Sequence, residues 1–427
     1  MKPIWVRVLT AAMALATAAL LLTPQVAAVA DLPERLIMRA GGVEALPSSS
    51  VLSATIADSQ NGVAALASNK TDGGLELKAG GRGETQLTYR LLGLVPVRTV
   101  SVSVEPEKRL IPGGQSVGVA IDTAGVMVVG ASDLGNTPSP ARVAGIKSGD
   151  IIRNIDGKPV SDAESLSSQI TSGETVTLDI VRSGKAEARR ITPALDERDG
   201  CWRLGVWVRD STAGVGTLTF YDPQTGGYGA LGHAITDSDT RVSMPVGQGG
   251  LYSNRVVDVT PSKRGQPGEL TGDFVFDARS IGTVELNTEQ GIFGRLDDGE
   301  IGGGLYPSGL PAASLREIHE GAATLLTTVD GSGVREYACE IERINDRAQG
   351  ARTMVVRVTD PALLEKTGGI VQGMSGSPIL QDGMLIGAVT HVMVNDPTTG
   401  YGISIEEMLA SEARMEESHT SGPQMAA

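Results

Sequence analysis

The chain has 427 residues with 36 Lys and Arg against 50 Asp and Glu, a net charge of −14. As a whole it repels nucleic acid and anionic membrane, so a nucleic-acid role is excluded. Hydrophobic residues at 41% and charged residues at 20% exclude a disordered chain and a multi-spanning membrane protein, and the length accommodates roughly two to four domains. With aromatics at 3% and 55 glycines, the core must be built from Val, Ile, Leu and Ala between many tight turns, which favours β structure.

At the N-terminus, Lys2 and Arg7 precede an uncharged run from Val8 to Leu22, and Ala28-Val29-Ala30 supplies a small-x-small pattern before Asp31. Residues 1–30 therefore read as an export segment. A spanning helix needs about 20 apolar residues, so a cleaved signal peptide is favoured over a signal anchor. The anchor is the alternative, because Ile4 and Trp5 extend the apolar stretch to residues 4–22. Cys201 and Cys339 are either one disulfide or two separate thiols. Neither CxxC nor HExxH occurs, and His233, His319, His391 and His419 are scattered singly. No metal or other cofactor is expected.

Residues 31–106 read as a small β-rich region, with strands over Gln86–Leu92 and Val97–Val104, the latter alternating with a period of two. Exposed loops at Ser48–Ser50 and Asp72–Gly74 suit self-cleavage. The charged segment Glu105–Arg109, with Pro106, ends the region and marks a boundary near residue 107.

Residues 107–196 follow a strand, turn, short helix, strand, helix, strand order. Ser139 and Pro140 begin a short helix that Gly145 ends, Ile151–Ile155 form a strand, and Asp156-Gly157 reverses it. Ser161–Ile170 reads as a helix capped by Ser161, and Val176–Val181 as the closing strand. The segment Ser139–Val160 resembles a PDZ domain. That resemblance implies a peptide ligand added as an extra strand, in cis or in trans, with Gly125, Val126, Met127 and Val128 supplying the receiving loop and strand. The loop departs from the Gly-Leu-Gly-Phe type, and a PDZ fold used only for packing is the alternative.

After a polar boundary at Asp196–Gly200 the chain returns to short β runs, then a helix over Ile405–Met415. Residues 200–415 are expected to form a β-barrel-like domain closed by that helix. Ile405, Met408, Leu409 and Ala413 would face inward, with Glu406, Glu407 and Glu412 in solvent. Residues 416–427 read as a frayed tail. The fold class expected is mainly β: a PDZ module followed by a chymotrypsin-like double β-barrel with a C-terminal helix.

Gly373-Met374-Ser375-Gly376-Ser377-Pro378 places a serine between glycines just before an apolar strand, and resembles the nucleophile loop of chymotrypsin-like serine peptidases. The glycines let the amides of Gly373 and Ser375 converge as an oxyanion hole beside the Ser375 hydroxyl. A base is offered by His233, in the Gly-bounded turn Gly232-His233-Ala234, 142 residues before Ser375. His before Ser is the chymotrypsin-like order. His391 competes from an apolar strand, where it could line the substrate cleft; His319 and His419 rank last.

Gly232–Asp237, Gly368–Ile379, Thr390-His391-Val392, Asn395-Asp396-Pro397, Gly400–Ile403 and Ile111–Gly118 together resemble the stage IV sporulation protein B serine peptidases of endospore-forming bacteria. The similarity covers roughly residues 90–410 with the parts in the same order. It implies an exported enzyme in the forespore intermembrane space that cleaves itself and a membrane-bound regulator of an intramembrane metalloprotease. It also implies Ser375 as nucleophile, His233 as base and Asp360 as acid. Asp360 lies only 15 residues before Ser375, and Asp237, Asp258, Asp273 and Asp277 are rival acids. A catalytically latent PDZ scaffold and a general exported quality-control protease are the alternatives; in the latter the PDZ module usually follows the protease.

Overall fold

The computed structural model describes residues 28–29, 32–57, 62–68, 74–105, 107–273, 279–297, 304–345 and 352–420. The export segment up to residue 27, Ala30, Asp31, Asp72-Gly73, Asp277 and the tail from 421 lie outside the described residues. No helix among the described residues is long and apolar enough to cross a membrane.

The chain divides into two compact units, Met1–Lys108 and Arg109–Ala427. In the first, strands Arg35–Arg39, Val95–Glu105, Gly83–Leu91 and Leu52–Ile56 form one sheet in that order, and Val43–Leu46, Leu75–Ala79 and Ala64–Ser68 a second. Alternation along Gly83–Leu91 sends Leu87, Tyr89 and Leu91 inward. Leu87 and Tyr89 pack with Leu77, Val100 and Val102 into one core, and the Tyr89 hydroxyl donates to Pro47 O at 3.1 Å.

The second unit is organised by two long antiparallel strands, Ser116–Ala131 and Val206–Tyr221, paired from Val206 opposite Ala131 to Thr217 opposite Ser116. Their outer ends complete the PDZ sheet, in the order Lys185–Ile191, Val176–Arg182, Ile151–Ile155, Ser116–Ala131, Val206–Tyr221. Their inner ends enter the peptidase lobe, where Val117–Thr123 also pairs with Val246–Ser253. The PDZ and peptidase regions therefore share backbone, rather than meeting at a linker near residue 200. Val206 and Val208 pack on the PDZ core of Val126, Val128, Leu166 and Ile180.

Strands Gly321–Thr327, Arg335–Ile344, Met354–Val358, Asp396–Ser404, Met384–Met393 and Pro378–Gln381 close a barrel. The expected mainly β fold, with a PDZ module, a β-barrel and a C-terminal helix, is present. Ile405 and Met408 of that helix are buried as expected, but Glu412 is also buried and Ala413 exposed. The inward face continues through Ser411, Glu412 and Met415, because Thr225 Oγ1 donates to the Glu412 carboxylate at 3.2 Å and removes the cost of burying it bare. The helix runs on to Thr420, and Arg295 Nη2 holds both Glu416 oxygens at 2.7 Å.

In the PDZ region Ser139 caps its helix, and Asp156 and Gly157, at φ 47° and 74°, form the reversing turn. The second helix spans Ala163–Ser168 and is capped by Asp162, not Ser161, in a reciprocal pair with Ser165. Cys201 is exposed and Cys339 buried, and both are free thiols; burial pushes the Cys339 thiol up to about 12.

Candidate active site

The nucleophile loop follows the helix Pro361–Thr367, which ends on Gly368 at φ 66°. Two inward bonds shape its tip: Met374 N–H donates to Val371 O at 3.1 Å and Ser377 N–H to Met374 O at 3.0 Å. The inner end of the long strand Val206–Tyr221 then holds the loop's carbonyls. Thr217 Oγ1 donates to Gly373 O at 2.8 Å, Thr217 N–H to Ser375 O at 2.9 Å, and Thr219 Oγ1 to Gly376 O at 2.8 Å. With the carbonyls turned to that strand, the N–H groups of Gly373 and Ser375 donate to no other described residue. Two unpaired amides beside a serine hydroxyl are what a developing oxyanion requires.

His233 follows the strand Gly227–Ala230 through a tight turn. Gly232 N–H donates to Ala230 O at 2.8 Å across Leu231, whose φ is 67°. A leucine in that region is strained, and such a γ-turn is rare. It is held because Leu231 N–H donates to Thr217 O at 3.2 Å, so Thr217 clamps the histidine turn and the serine loop with one residue. Downstream, Asn287 accepts from Ile235 N–H at 2.9 Å and donates to Ile235 O and Met244 O at 2.8 and 2.9 Å. Neither Thr217 nor Asn287 was legible from the sequence, since a Thr or an Asn within a strand carries no catalytic signature.

His233 Nδ1 lies 2.9 Å from Ala234 O. A nitrogen facing a carbonyl must carry the proton, which leaves Nε2 as the free lone pair that a general base needs. Burial holds the His233 pKa below its ordinary 6.5. The His391 ring stacks on it with centroids 4.7 Å apart and planes tilted by 38°. Lost hydration, then His233 and Arg352, push His391 down to about 4. His391 is thus a neighbour of the base, as a lining residue of the cleft would be.

The acid is where sequence and structure part. Asp360 caps the helix Pro361–Thr367, accepting from Ala362 and Leu363 N–H at 2.9 and 3.1 Å and from Ala338 N–H at 3.3 Å. None of its bonds reaches His233, because a carboxylate just before a helix is claimed by the free amides of the first turn. Asp237 is buried in its own turn with Arg209 Nη1 at 2.6 Å, Asp258 accepts from Val259 N–H, and Asp273 sits 3.6 Å from Arg255. His319 pairs with Asp382 at 2.7 Å, and His419 lies in the last turn of the C-terminal helix. Among the described residues, the Ala234 carbonyl alone orients the His233 ring by hydrogen bond.

Two predictions follow from this geometry. Asp360→Ala should cost about 1 kcal/mol in denaturant unfolding, the worth of an N-cap, while Asp360→Asn, which keeps a capping oxygen, should retain turnover; a loss of about four orders of magnitude in the latter would make it a triad acid. For pH, both histidines are held neutral in the fold, so the stability this contributes is complete above the ordinary 6.5 and is lost as pH falls towards about 4. The acid limb of kcat/KM should accordingly lie below pH 6.5, and a limb above it would mean that His233 is not the base.

The expected peptide-binding segment is misplaced. Val126, Met127 and Val128 are at most 1% exposed, and Gly125 at φ 109° packs so tightly that a Cβ would meet Ile152 O at 2.4 Å. That strand is internal, flanked by Ile151–Ile155 and Val206–Arg209, and has no free edge. The open groove, about 930 Å³, lies instead between the helix Ala163–Ser168 and residues 202–208. Its loop is Arg203-Leu204-Gly205-Val206, with Gly205 at φ 67°. Leu204 O accepts from Ala141 N–H, and Gly205 O from Ser139 Oγ, both at 2.9 Å, while the Leu204 and Gly205 N–H groups donate to no described residue. The apolar-Gly-apolar string Leu204-Gly205-Val206 is the signal the sequence carries, beyond the polar boundary at 196–200.

A serine beside two free amides, a histidine on a turn clamped to the same strand and an open groove beside a PDZ helix fit a PDZ-containing serine peptidase. Residues 200–409 match the family model for SpoIVB peptidase S55, and residues 101–192 that for the PDZ domain. Residues 200–409, just under half of the chain, are thus a serine peptidase region of the SpoIVB S55 type. It is similar to the "Putative zinc metalloprotease LL2128" of Lactococcus lactis, with 32% identity over 100 residues, 23% of this chain and 22% of that protein. The chain thus spans about a fifth of that relative's length. Among the described residues no group of three or more His, Cys, Asp or Glu could hold a metal ion. Similar solved structures include the PDZ domain of the SdrC-like protein from Listeria monocytogenes, at 24% identity and TM-score 0.18, covering 20% of this chain and 87% of that one. Another is the active form of the Rv3671c protease from M. tuberculosis, at 14% identity and TM-score 0.28, covering 47% and 74%.

Proposed function

We propose that this chain is an exported serine endopeptidase that cleaves itself and a membrane-bound regulator of an intramembrane metalloprotease, so activating late sigma-factor processing across the forespore membranes. The observation that carries the chemistry is Thr217, which ties the Ser375 loop and the His233 turn to one strand. The family match supports the sporulation setting, and the uncharged run Val8–Leu22 supports export.

Ser375 Oγ attacks the scissile carbonyl as His233 Nε2 takes its proton, and the Gly373 and Ser375 amides hold the oxyanion. The C–N bond breaks as His233 protonates the leaving amine. Water, deprotonated by the same nitrogen, then releases the acyl chain and restores Ser375. The PDZ groove would take an extended peptide strand from substrate or partner, its Leu204 and Gly205 amides facing a carboxylate or carbonyl.

One observation favours a latent resting state as the second reading: Ser375 Oγ donates to Thr390 O at 2.6 Å, not to His233. A side-chain rotation must precede attack. The test is fluorophosphonate labelling and mass spectrometry of the full chain and of Ser375→Ala, each alone and with the exported segment of the membrane partner. Labelling and self-cleavage confined to the unaltered chain are expected. Reaction only with the partner would establish latency, and none in either would overturn the peptidase proposal.

A further inference from the structure

The first unit carries an apolar feature that peptide hydrolysis does not use. The hairpin joining Gly83–Leu91 to Val95–Glu105 turns through Leu92 and Gly93, at φ 52° and 72°, closed by Leu94 N–H on Leu91 O at 3.1 Å. Left-handed turn positions favour Gly, Asn or Asp, which are also soluble. Here the tip is Leu92-Gly93-Leu94-Val95, with Leu92 63%, Leu94 81% and Val95 59% exposed. Three large apolar side chains in succession at the point of a hairpin form a patch, not scattered surface residues.

Along the hairpin itself charge is opposite to that of the chain. Between Glu84 and Glu105 there is no Asp or Glu, while Arg90 and Arg98 flank the tip, in a protein of net charge −14. The adjoining loop, which accepts Leu92 N–H at Val51 O at 2.8 Å, is Pro47-Ser48-Ser49-Ser50-Val51 and carries no charge.

The chain also enters this unit at the same end. Arg35–Arg39 runs parallel to Val95–Glu105 with Arg35 opposite Ser101, so the residues before Arg35 approach from the tip. Arg98 Nη2 donates to Leu32 O at 2.6 Å, and Val29 is wholly buried in the unit's core. In the sequence the uncharged run Val8–Leu22 ends seven residues before Val29, at most about 25 Å of chain.

We infer that the Leu92–Val95 hairpin tip inserts into the outer part of an anionic bilayer, with the exposed Arg90 at the headgroups. Local basic charge outweighs the chain's overall repulsion because surface potential decays within a Debye length. The inference stands independently of the peptidase reading.

The test labels the tip itself, so that binding by the N-terminal run does not mask the answer. The full chain carrying Cys201→Ser and Leu94→Cys takes an environment-sensitive fluorophore at position 94, and is mixed with vesicles of phosphatidylcholine with or without phosphatidylglycerol. With the anionic vesicles the emission should shift to the blue and be quenched by lipids brominated in the acyl chain. Arg90→Glu should lower the inserted fraction relative to the free one roughly tenfold. A label that keeps its emission in water while the protein sediments with vesicles would overturn the inference. So would an equal shift from a control label at Ser183→Cys, which would indicate adsorption of the whole surface, or an equal shift with purely neutral lipid.

Discussion

Ser375→Ala is expected to lower kcat about a million-fold while changing stability by only about 1 kcal/mol. The side chain makes one hydrogen bond, to Thr390 O at 2.6 Å, so little of the fold depends on it, whereas in the proposed mechanism both half-reactions pass through its oxygen. His233→Ala should cost as much, since without Nε2 no described group stands ready to take the proton. The double variant should lose no more than either single one, because nucleophile and base act as a unit. A residue of activity over water should survive in all three from the Gly373 and Ser375 amides. Turnover of a peptide built on the enzyme's own cut site measures these values. Near-normal cleavage by Ser375→Ala would remove the serine from the mechanism, and additive losses in the double variant would mean that His233 acts elsewhere.

The second large effect is predicted for a residue without a reacting atom. Gly376 sits at φ 95°, and a Cβ there would meet Thr217 O at 2.1 Å and Leu231 N at 2.5 Å. Both obstacles are backbone that clamps the site, so they cannot yield without separating the serine loop from the histidine turn. Gly376→Ala should therefore destabilise the protein by on the order of 4 kcal/mol and abolish turnover even where it remains folded. Gly383 is the control: its φ is 76°, but nothing lies within 4 Å of an added Cβ. Gly383→Ala should cost about 1 kcal/mol, the backbone strain alone. Denaturant unfolding of the two variants measures the difference, and equal costs would show that contact with Thr217 and Leu231 is not what excludes a side chain at 376.

Much of this was legible beforehand, for reasons that are local. Period-two alternation placed the strands at Gln86–Leu92 and Val97–Val104, since side chains in a strand alternate faces whatever the partner. Glycines with serine or histidine between them marked the loops at 375 and 233, since backbone that turns this sharply needs residues without Cβ. Ser139 and Gly145 bounded a helix because caps are satisfied within one turn. Where a local rule had two readings, the sequence could not choose between them. Glu412 on a helix reads as solvent-facing until Thr225, distant in sequence, offers it a hydrogen bond. Asp360 reads as an acid by resemblance and as a cap by its position before Pro361, and the free amides of the following turn decide for the cap.

By itself the sequence determined a mainly β chain with a PDZ module, and a serine and histidine in the order of a peptidase. The tertiary structure alone decided which residues bring that pair together and where a peptide can bind. Both depend on one strand, Val206–Tyr221, whose first residues line the PDZ groove and whose Thr217 clamps Ser375 and His233 to a common frame. Such a role rests on backbone hydrogen bonds, which any residue type can make, on one bond from the Thr217 hydroxyl, and on pairing with a loop more than a hundred residues away in the chain. Composition and spacing carry no trace of either.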